Sequence, residues 1–305
     1  MRILLTGASG FIGRHALSAL AAAGHEVHAV SRHRPPVSCD YVWHCVDLLS
    51  AGGPKQVVDA AKPDAILHLA WCVEHGKFWT DDANLAWLSA SLELARAARE
   101  GGVLRFVGTG TCYEYEWPLD SNCDERSTPL AAHTLYDTSK DACRRALESY
   151  CSQHKMGFAW GRLFFLYGPN EAQSRLVASI AHALQSGEAA KCSDGQVVRD
   201  FMDVRDAGAA LGALVLSDVV GSVNIASGEA ISVAELAMRL GKLSGRPELV
   251  QLGALPNRAG EPPRIVADVK RLRDEVKFTP TRSLDEGLQD ALSYWAGEIS
   301  RNVAT

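Results

Sequence analysis

Long hydrophobic runs are missing from this sequence: no stretch approaches the about 18 consecutive apolar residues that span a bilayer, so no membrane-spanning helix is expected. A basic excess is missing too. Lys and Arg number 31 against 36 Asp and Glu, for a net charge of −5, which argues against a nucleic-acid-binding surface. The eight cysteines (Cys39, Cys45, Cys72, Cys112, Cys123, Cys143, Cys151 and Cys192) include no Cys-x-x-Cys pair, so a zinc centre is not expected and no metal is assigned. Scattered thiols in a large chain read as reduced, apolar core residues. Met1 to Gly7 turns glycine-rich at once, without the apolar run and cleavage site of a secretory leader, so the expected location is the cytoplasm. Repeats and low-complexity tracts are absent as well. The 47% hydrophobic and 22% charged residues are those of a folded chain, and 305 residues suggest two units.

Short apolar runs alternate with helical patterns through the first half, as in parallel βαβ units. Strands are expected at 3–5, 26–30, 41–46, 65–69, 103–107 and 158–165, with helices at 11–23, 55–61, 82–100 and 135–154. A polar loop is expected over 114–129. Right-handed crossovers turn this order into an α/β, Rossmann-type doubly wound parallel sheet. After Gly168-Pro169 the pattern becomes less regular, with helices near 175–185, 204–216, 233–243 and 283–296 and a strand near 223–226. Residues 1–168 are therefore expected to form the first domain and 169–305 a smaller C-terminal α/β substrate lobe, with segments near 204–226 returning to the first sheet.

Thr6-Gly7-Ala8-Ser9-Gly10-Phe11-Ile12-Gly13 joins the first strand to the first helix. Gly7 permits a tight turn, Gly10 lets the backbone approach a phosphate, and Gly13 lets helix and strand pack closely. A dinucleotide pyrophosphate would meet the free N–H groups and positive dipole end of that helix. Gly7, Ser9, Gly10, Phe11, Ile12 and Gly13 are the candidate cofactor contacts there. The second strand ends in Val30-Ser31-Arg32-His33-Arg34, with no acid to accept from a ribose hydroxyl. Ser31 and Arg32 fit a 2′-phosphate, so NADP is favoured over NAD.

Tyr136 and Lys140 stand four residues apart on an expected helix, so the phenol and the ammonium share one face. A nearby ammonium is expected to lower the phenol pKa and make Tyr136 a usable proton donor or acceptor.

The GxxGxxG loop resembles the opening of the extended short-chain dehydrogenase/reductases. Asp47-Leu48, His68-Leu69-Ala70, Asn84, Thr109, Tyr136 with Lys140, Tyr167-Gly168-Pro169, Arg199-Asp200-Phe201 and Arg258-Ala259-Gly260-Glu261 follow in the family's order over nearly the whole chain. The resemblance implies an NAD(P)-dependent nucleotide-sugar epimerase, 4,6-dehydratase or ketoreductase. It places Asp47 and Leu48 beside the adenine, and Leu69 and Ala70 along the cofactor cleft with Tyr136 and Lys140. It makes Thr109 the hydroxyl that joins Tyr136 and Lys140 in catalysis, with Thr111 the alternative and a candidate substrate contact. Arg199 and Arg258 would clamp a nucleotide diphosphate, with Arg264 a weaker third.

Family dehydratases carry Asp-Glu after the catalytic hydroxyl. Gly110-Thr111 stands there instead, which disfavours elimination unless Glu114 or Glu74 substitutes. Phe165 replaces a common substrate-binding Asn, and Trp71, Cys72 and His75 sit in a loop that often shapes the sugar pocket. The apolar stripe Leu85, Leu88, Leu92 and Ala95 reads as core, while the resemblance implies a homodimer through two helices of the first domain. The leading expectation is NADP-dependent reduction of a nucleotide-linked 4-keto-(6-deoxy)hexose. The alternatives are an epimerase and, outside enzymes, an NADP-binding regulator.

Overall fold

The computed structural model describes residues 1–33, 41–74 and 76–303. The first half runs β1 (Arg2–Thr6), α1 (Gly13–Ala22), β2 (Glu26–Ser31), β3 (Val42–Cys45), α2 (Gly53–Ala61), β4 (Ala65–His68), α3 (Ala83–Glu100), β5 (Arg105–Thr111), α4 (Leu135–Gln153) and β6 (Gly157–Leu163). There follow β7 (Phe165–Tyr167), α5 (Leu176–Ser186), β8 (Ala190–Lys191), β9 (Val198–Asp203), α6 (Val204–Leu216), β10 (Gly221–Ile225), β11 (Ala230–Ser232), α7 (Val233–Leu243), β12 (Val250–Gln251), β13 (Arg264–Ile265), α8 (Lys270–Asp274) and α9 (Leu284–Val303).

Seven parallel strands form the large sheet in the order β10-β6-β5-β4-β1-β2-β3. Strands covered on both faces read as continuous apolar runs, and β1 shows why. Ile3 and Leu5 join the core under α1 and α6, while Leu4 faces the opposite core with Ile66, Leu94, Phe106 and Leu147. The strand order reverses between β1 and β4, where Thr6 pairs with His68. A ligand crevice belongs at such a reversal.

α6 packs on α1 and β10 extends the large sheet beside β6, so residues 204–225 lie with the first half. The expected strand at 158–165 is two strands. β6 ends at Leu163, and after Phe164 the chain enters a second sheet, where β7 runs along β9. β9 also pairs with β11 and β13. Helices α5, α7 and α9 enclose a separate core around Ile180, Leu184, Leu236, Leu240, Leu288 and Leu292. The expected stripe on α3 divides: Ala95 is buried, whereas Leu85 and Leu92 are 53% and 37% exposed. No helix among the described residues is long and apolar enough to cross a membrane.

Candidate active site

A cleft of about 750 Å³ runs from the β1–α1 turn to the second sheet. Its near wall is set by sterics. Gly7 has φ +68, and a Cβ there would stand 2.8 Å from the Ala70 amide nitrogen. A Cβ at Gly13 would stand 2.0 Å from the Gly7 carbonyl oxygen. Any side chain at either position displaces backbone, so the turn stays open and the first turn of α1 comes close enough for a phosphate. Gly7, Ser9, Gly10, Phe11, Ile12 and Gly13 all line the cleft, as do Ser31, Arg32, Asp47, Leu48, Leu69 and Ala70. Those residues and that open turn fit a dinucleotide. Ser31 Oγ donates to the His33 carbonyl, and Arg32 is exposed. Arg34, Cys39 and His75 lie outside the described residues.

The β1–β4 reversal is locked by a relay that fixes one histidine tautomer. Thr6 Oγ1 accepts from the Leu69 and Ala70 amides, each at 3.2 Å, so its own proton goes to His68 Nδ1 at 2.7 Å. His68 Nε2 therefore carries the ring proton and donates to Ser91 Oγ at 2.9 Å, which donates to the Trp87 carbonyl. Burial, with the Lys140 charge nearby, pushes His68 down to about 3, so the ring is neutral.

Tyr136, on the first turn of α4, lines the cleft. Its ring lies edge-on to Phe78 at 4.7 Å and to Trp79 at 5.9 Å between centroids. The expected lowering of its pKa is reversed. Burial raises the phenol pKa, and the Glu114 charge raises it further. Lys140 Nζ lies 5.9 Å from the centroid of the Tyr136 ring, donates to the Thr109 carbonyl at 2.9 Å and sits under the Trp71 ring, 3.8 Å from its centroid. Lys140 is consequently buried behind Trp71 and does not line the cleft. Burial pushes its own pKa down to about 8.

Thr109 also departs from expectation. It is buried, its hydroxyl donates to the His68 carbonyl at 3.3 Å, and it does not line the cleft. Thr111, two residues on and on the same side of β5, lines the cleft with Tyr136. A 3-10 turn at Cys112–Glu114 carries the chain away immediately afterwards. Thr111 Oγ1 accepts from the Tyr113 amide at 3.3 Å. The residues after Thr111 are Cys112 and Tyr113, neither a carboxylate. Glu114 is fully buried in an ion pair with Arg162 at 2.8 Å, and Glu74 is exposed and paired with Lys77. Neither lines the cleft.

At the far end, Arg199 is buried and its guanidinium meets Glu261 at 2.8 Å. Arg258 lines the same end, exposed. Arg264 instead donates to Asn122 at 2.6 Å and is not part of the cleft. Phe165 and Trp71 line the cleft, whereas Cys72 does not. Two contributors had no signal in the sequence. Glu171 and Arg175, paired at 3.3 Å, both line the cleft, and burial pushes Glu171 up to about 7. Among the described residues no cluster of three His, Cys, Asp or Glu could hold a metal.

Known proteins are similar to this chain in sequence and fold. The chain is 29% identical over 317 residues to a GDP-6-deoxy-D-mannose reductase of Pseudomonas aeruginosa, covering 98% of each. It is 24% identical over 239 residues to a dTDP-6-deoxy-L-talose 4-dehydrogenase (NAD(+)) of Aggregatibacter actinomycetemcomitans, covering 75% of this chain and 85% of that one. Its fold matches a UDP-glucose 4-epimerase of Thermotoga maritima, solved with UDP-glucose, at a TM-score of 0.90 and 20% identity, over 98% of this chain and 100% of that one. Residues 3–226, from β1 through the last strand of the large sheet, match the NAD dependent epimerase/dehydratase family, and the chain belongs to it as an enzyme.

Proposed function

We propose that this enzyme reduces the C4 ketone of a nucleotide-diphosphate-linked 4-keto-6-deoxyhexose, with NADPH as the reductant. The observation that carries the reading is the pairing of Thr111 and Tyr136 on one cleft wall, with the phenol held in its acid form. A bound nicotinamide supplies the hydride. Tyr136 Oη gives its proton to the carbonyl oxygen as C4 is reduced, and Thr111 donates a hydrogen bond to the same oxygen. The Lys140 ammonium, 5.9 Å from the Tyr136 ring, steadies the phenolate left behind. Water then restores the phenol.

Elimination is disfavoured, since Cys112 and Tyr113 supply no acid–base pair and Glu114 is turned into the core. Phe78 and Trp79 pack against Tyr136, and Tyr113 and Phe165 continue this aromatic wall along the cleft, which suits a methyl at C5 better than a hydroxymethyl. Arg199 and Arg258 are suited to the diphosphate, Arg199 exchanging Glu261 for it. The named activities of the reductase and the 4-dehydrogenase support chemistry at a deoxyhexose carbonyl.

The test is a panel of nucleotide 4-keto-6-deoxy sugars with NADPH. Stoichiometric loss of NADPH absorbance with formation of the alcohol is expected, and sugar inversion without net oxidation overturns the reading in favour of an epimerase. Arg32 at the cleft edge supports NADPH over NADH. Arg32→Glu is expected to lower the NADPH-to-NADH ratio of kcat/KM by about tenfold or more, the worth of one charge-assisted contact.

We also propose a homodimer formed through the outer face of α3. Leu85 and Leu92 are exposed two turns apart on one side of that helix. Sedimentation is expected to give twice 32.9 kDa. Leu85→Glu with Leu92→Glu is expected to give the monomer.

A further inference from the structure

We infer that Trp71, held by Asn84, is the positioning residue for Lys140: its indole roofs the ammonium, holding it against the Thr109 carbonyl and keeping it out of the cleft. The inference rests on the proposed role of Lys140 in steadying the phenolate of Tyr136. Lys140 is 4% exposed, and its one hydrogen-bond acceptor among the described residues is the Thr109 carbonyl. The rest of the ammonium meets ring faces. Trp71 lies nearest, at 3.8 Å to the centroid, with Tyr136 at 5.9 Å and Trp160 at 6.0 Å. A cation is attracted to such faces and gains most from them where water is excluded. Of the nearest ring and the amine beneath it, only the ring lines the cleft.

Trp71 is fixed from two sides. Its indole Nε1 donates to Asn84 Oδ1 at 2.8 Å. Asn84, in the first turn of α3, is 2% exposed and has no freedom to turn, because its Nδ2 donates to the Phe78 carbonyl at 2.7 Å and to the Asp81 carbonyl at 2.8 Å. The Trp71 ring also stacks on Trp87, with centroids 6.5 Å apart and planes inclined by 27°. The same loop closes on the catalytic helix, since the Tyr136 amide donates to the Trp79 carbonyl at 3.1 Å. One buried amide side chain thus ties the roof of Lys140 to the loop that packs on Tyr136.

The arrangement serves the charge. A lysine side chain is long and flexible, and without a roof its ammonium would extend into the cleft and take up water. Between ring and carbonyl it keeps one position beside the phenol, and no solvent screens it there.

Reductive methylation of the cofactor-free protein, read lysine by lysine by peptide mass spectrometry, measures the roof. Lys270, whose side chain is 73% exposed, is the internal reference. In the wild type Lys140 is expected to react at least about a hundredfold more slowly than Lys270. Trp71→Ala is expected to speed Lys140 by about tenfold or more, and Trp71→Phe, which keeps a ring face and loses the bond to Asn84, by a smaller factor. Leu240→Ala, in the separate core of α5, α7 and α9, controls for lost stability alone and is expected to leave Lys140 at the wild-type rate. A Trp71→Ala rate equal to that of the wild type, or matched by Leu240→Ala or by Trp71→Phe, overturns the inference. In turnover, kcat should fall about tenfold in Trp71→Ala and less in Trp71→Phe. An unchanged kcat beside a reactive Lys140 overturns the positioning role. If Trp71→Ala does not fold, the wild type decides. With carbon-13 at lysine Cε, the Lys140 methylene protons are expected upfield of every other lysine under the indole ring current, with Lys140→Met as the blank. A Lys140 signal among those of the exposed lysines overturns the inference. Labelling and spectrum need neither sugar nor dinucleotide, so a failed substrate panel leaves them readable.

Discussion

Tyr136→Phe is expected to cut turnover by about 10³-fold, within the range a positioned general acid contributes, while dinucleotide affinity and Tm stay at the wild-type values. The ring is what the protein packs, against Phe78 and Trp79, and phenylalanine keeps that ring. The hydroxyl makes no hydrogen bond among the described residues, so its removal leaves no buried partner unsatisfied. The deletion therefore subtracts one proton donor and nothing structural. Single-turnover kinetics with bound NADPH measures the chemical step directly, and calorimetric titration measures the cofactor. Wild-type rates in the variant would transfer the proton to another group, and Glu171, whose carboxyl is pushed up to about 7 in the same cleft, would be the next to substitute. A loss of cofactor binding together with turnover would instead make the phenol a binding group and sink its role as acid.

How much of this is legible in the sequence depends on which force fixes each part. The glycine turn is fully legible, because backbone contacts below 3 Å admit no side chain at Gly7 or Gly13, and only glycine records that. The large sheet is legible through its apolar runs. β9 is not: Val198–Asp203 carries Arg199, Asp200 and Asp203, and a charged stretch does not look like a buried strand. The structure accounts for each of those charges. Asp200 accepts from Ser227, Gly228 and Ala267, Asp203 caps α6 by accepting from the Arg205 amide, and Arg199 pairs with Glu261. Periodicity cannot see partners that far away in the chain.

Thr109 and Thr111 show a subtler limit. Both lie on one side of β5, and spacing to the next tyrosine favours either, depending on whether Tyr113 or Tyr115 is counted. The choice is made by where the strand stops. It ends at Thr111 because Glu114 folds back onto the Thr111 amide to start the 3-10 turn. The composition around Glu114 is that of a polar loop, and nothing local marks the residue as buried. Its partner Arg162 is 48 residues away. The direction in which the Tyr136 pKa moves escapes the sequence for the same reason. A lysine one turn away is legible, but the tryptophan that covers it and the carboxylate behind it come from other elements.

Lys140→Met is expected to stabilise the cofactor-free protein at pH 7 by about 2–3 kcal/mol while abolishing turnover. Burial holds the Lys140 pKa at about 8 in the fold, against 10.5 for an ordinary lysine. The folded state thus disfavours the charged form that prevails at neutral pH, and each pH unit between the two values corresponds to about 1.4 kcal/mol. Between about pH 8 and 10.5 the unfolded chain binds the proton more readily than the folded one, so stability rises with pH through that window. Below pH 8 the penalty is present in full. Methionine fills the same slot under Trp71 without a charge, and what it gives up is the ring contact at 3.8 Å and the bond to the Thr109 carbonyl. Calorimetry at pH 7 is expected to place the variant about 4 °C or more above wild type, with the gap closing as the pH approaches 10.5. A variant less stable than wild type at pH 7 would mean that the ammonium is held by its partners more strongly than burial opposes it. The stability gain and the loss of turnover have one origin. On the proposed mechanism, a cation is kept in a slot that would be more stable without it because the phenolate formed at Tyr136 needs a positive charge beside it.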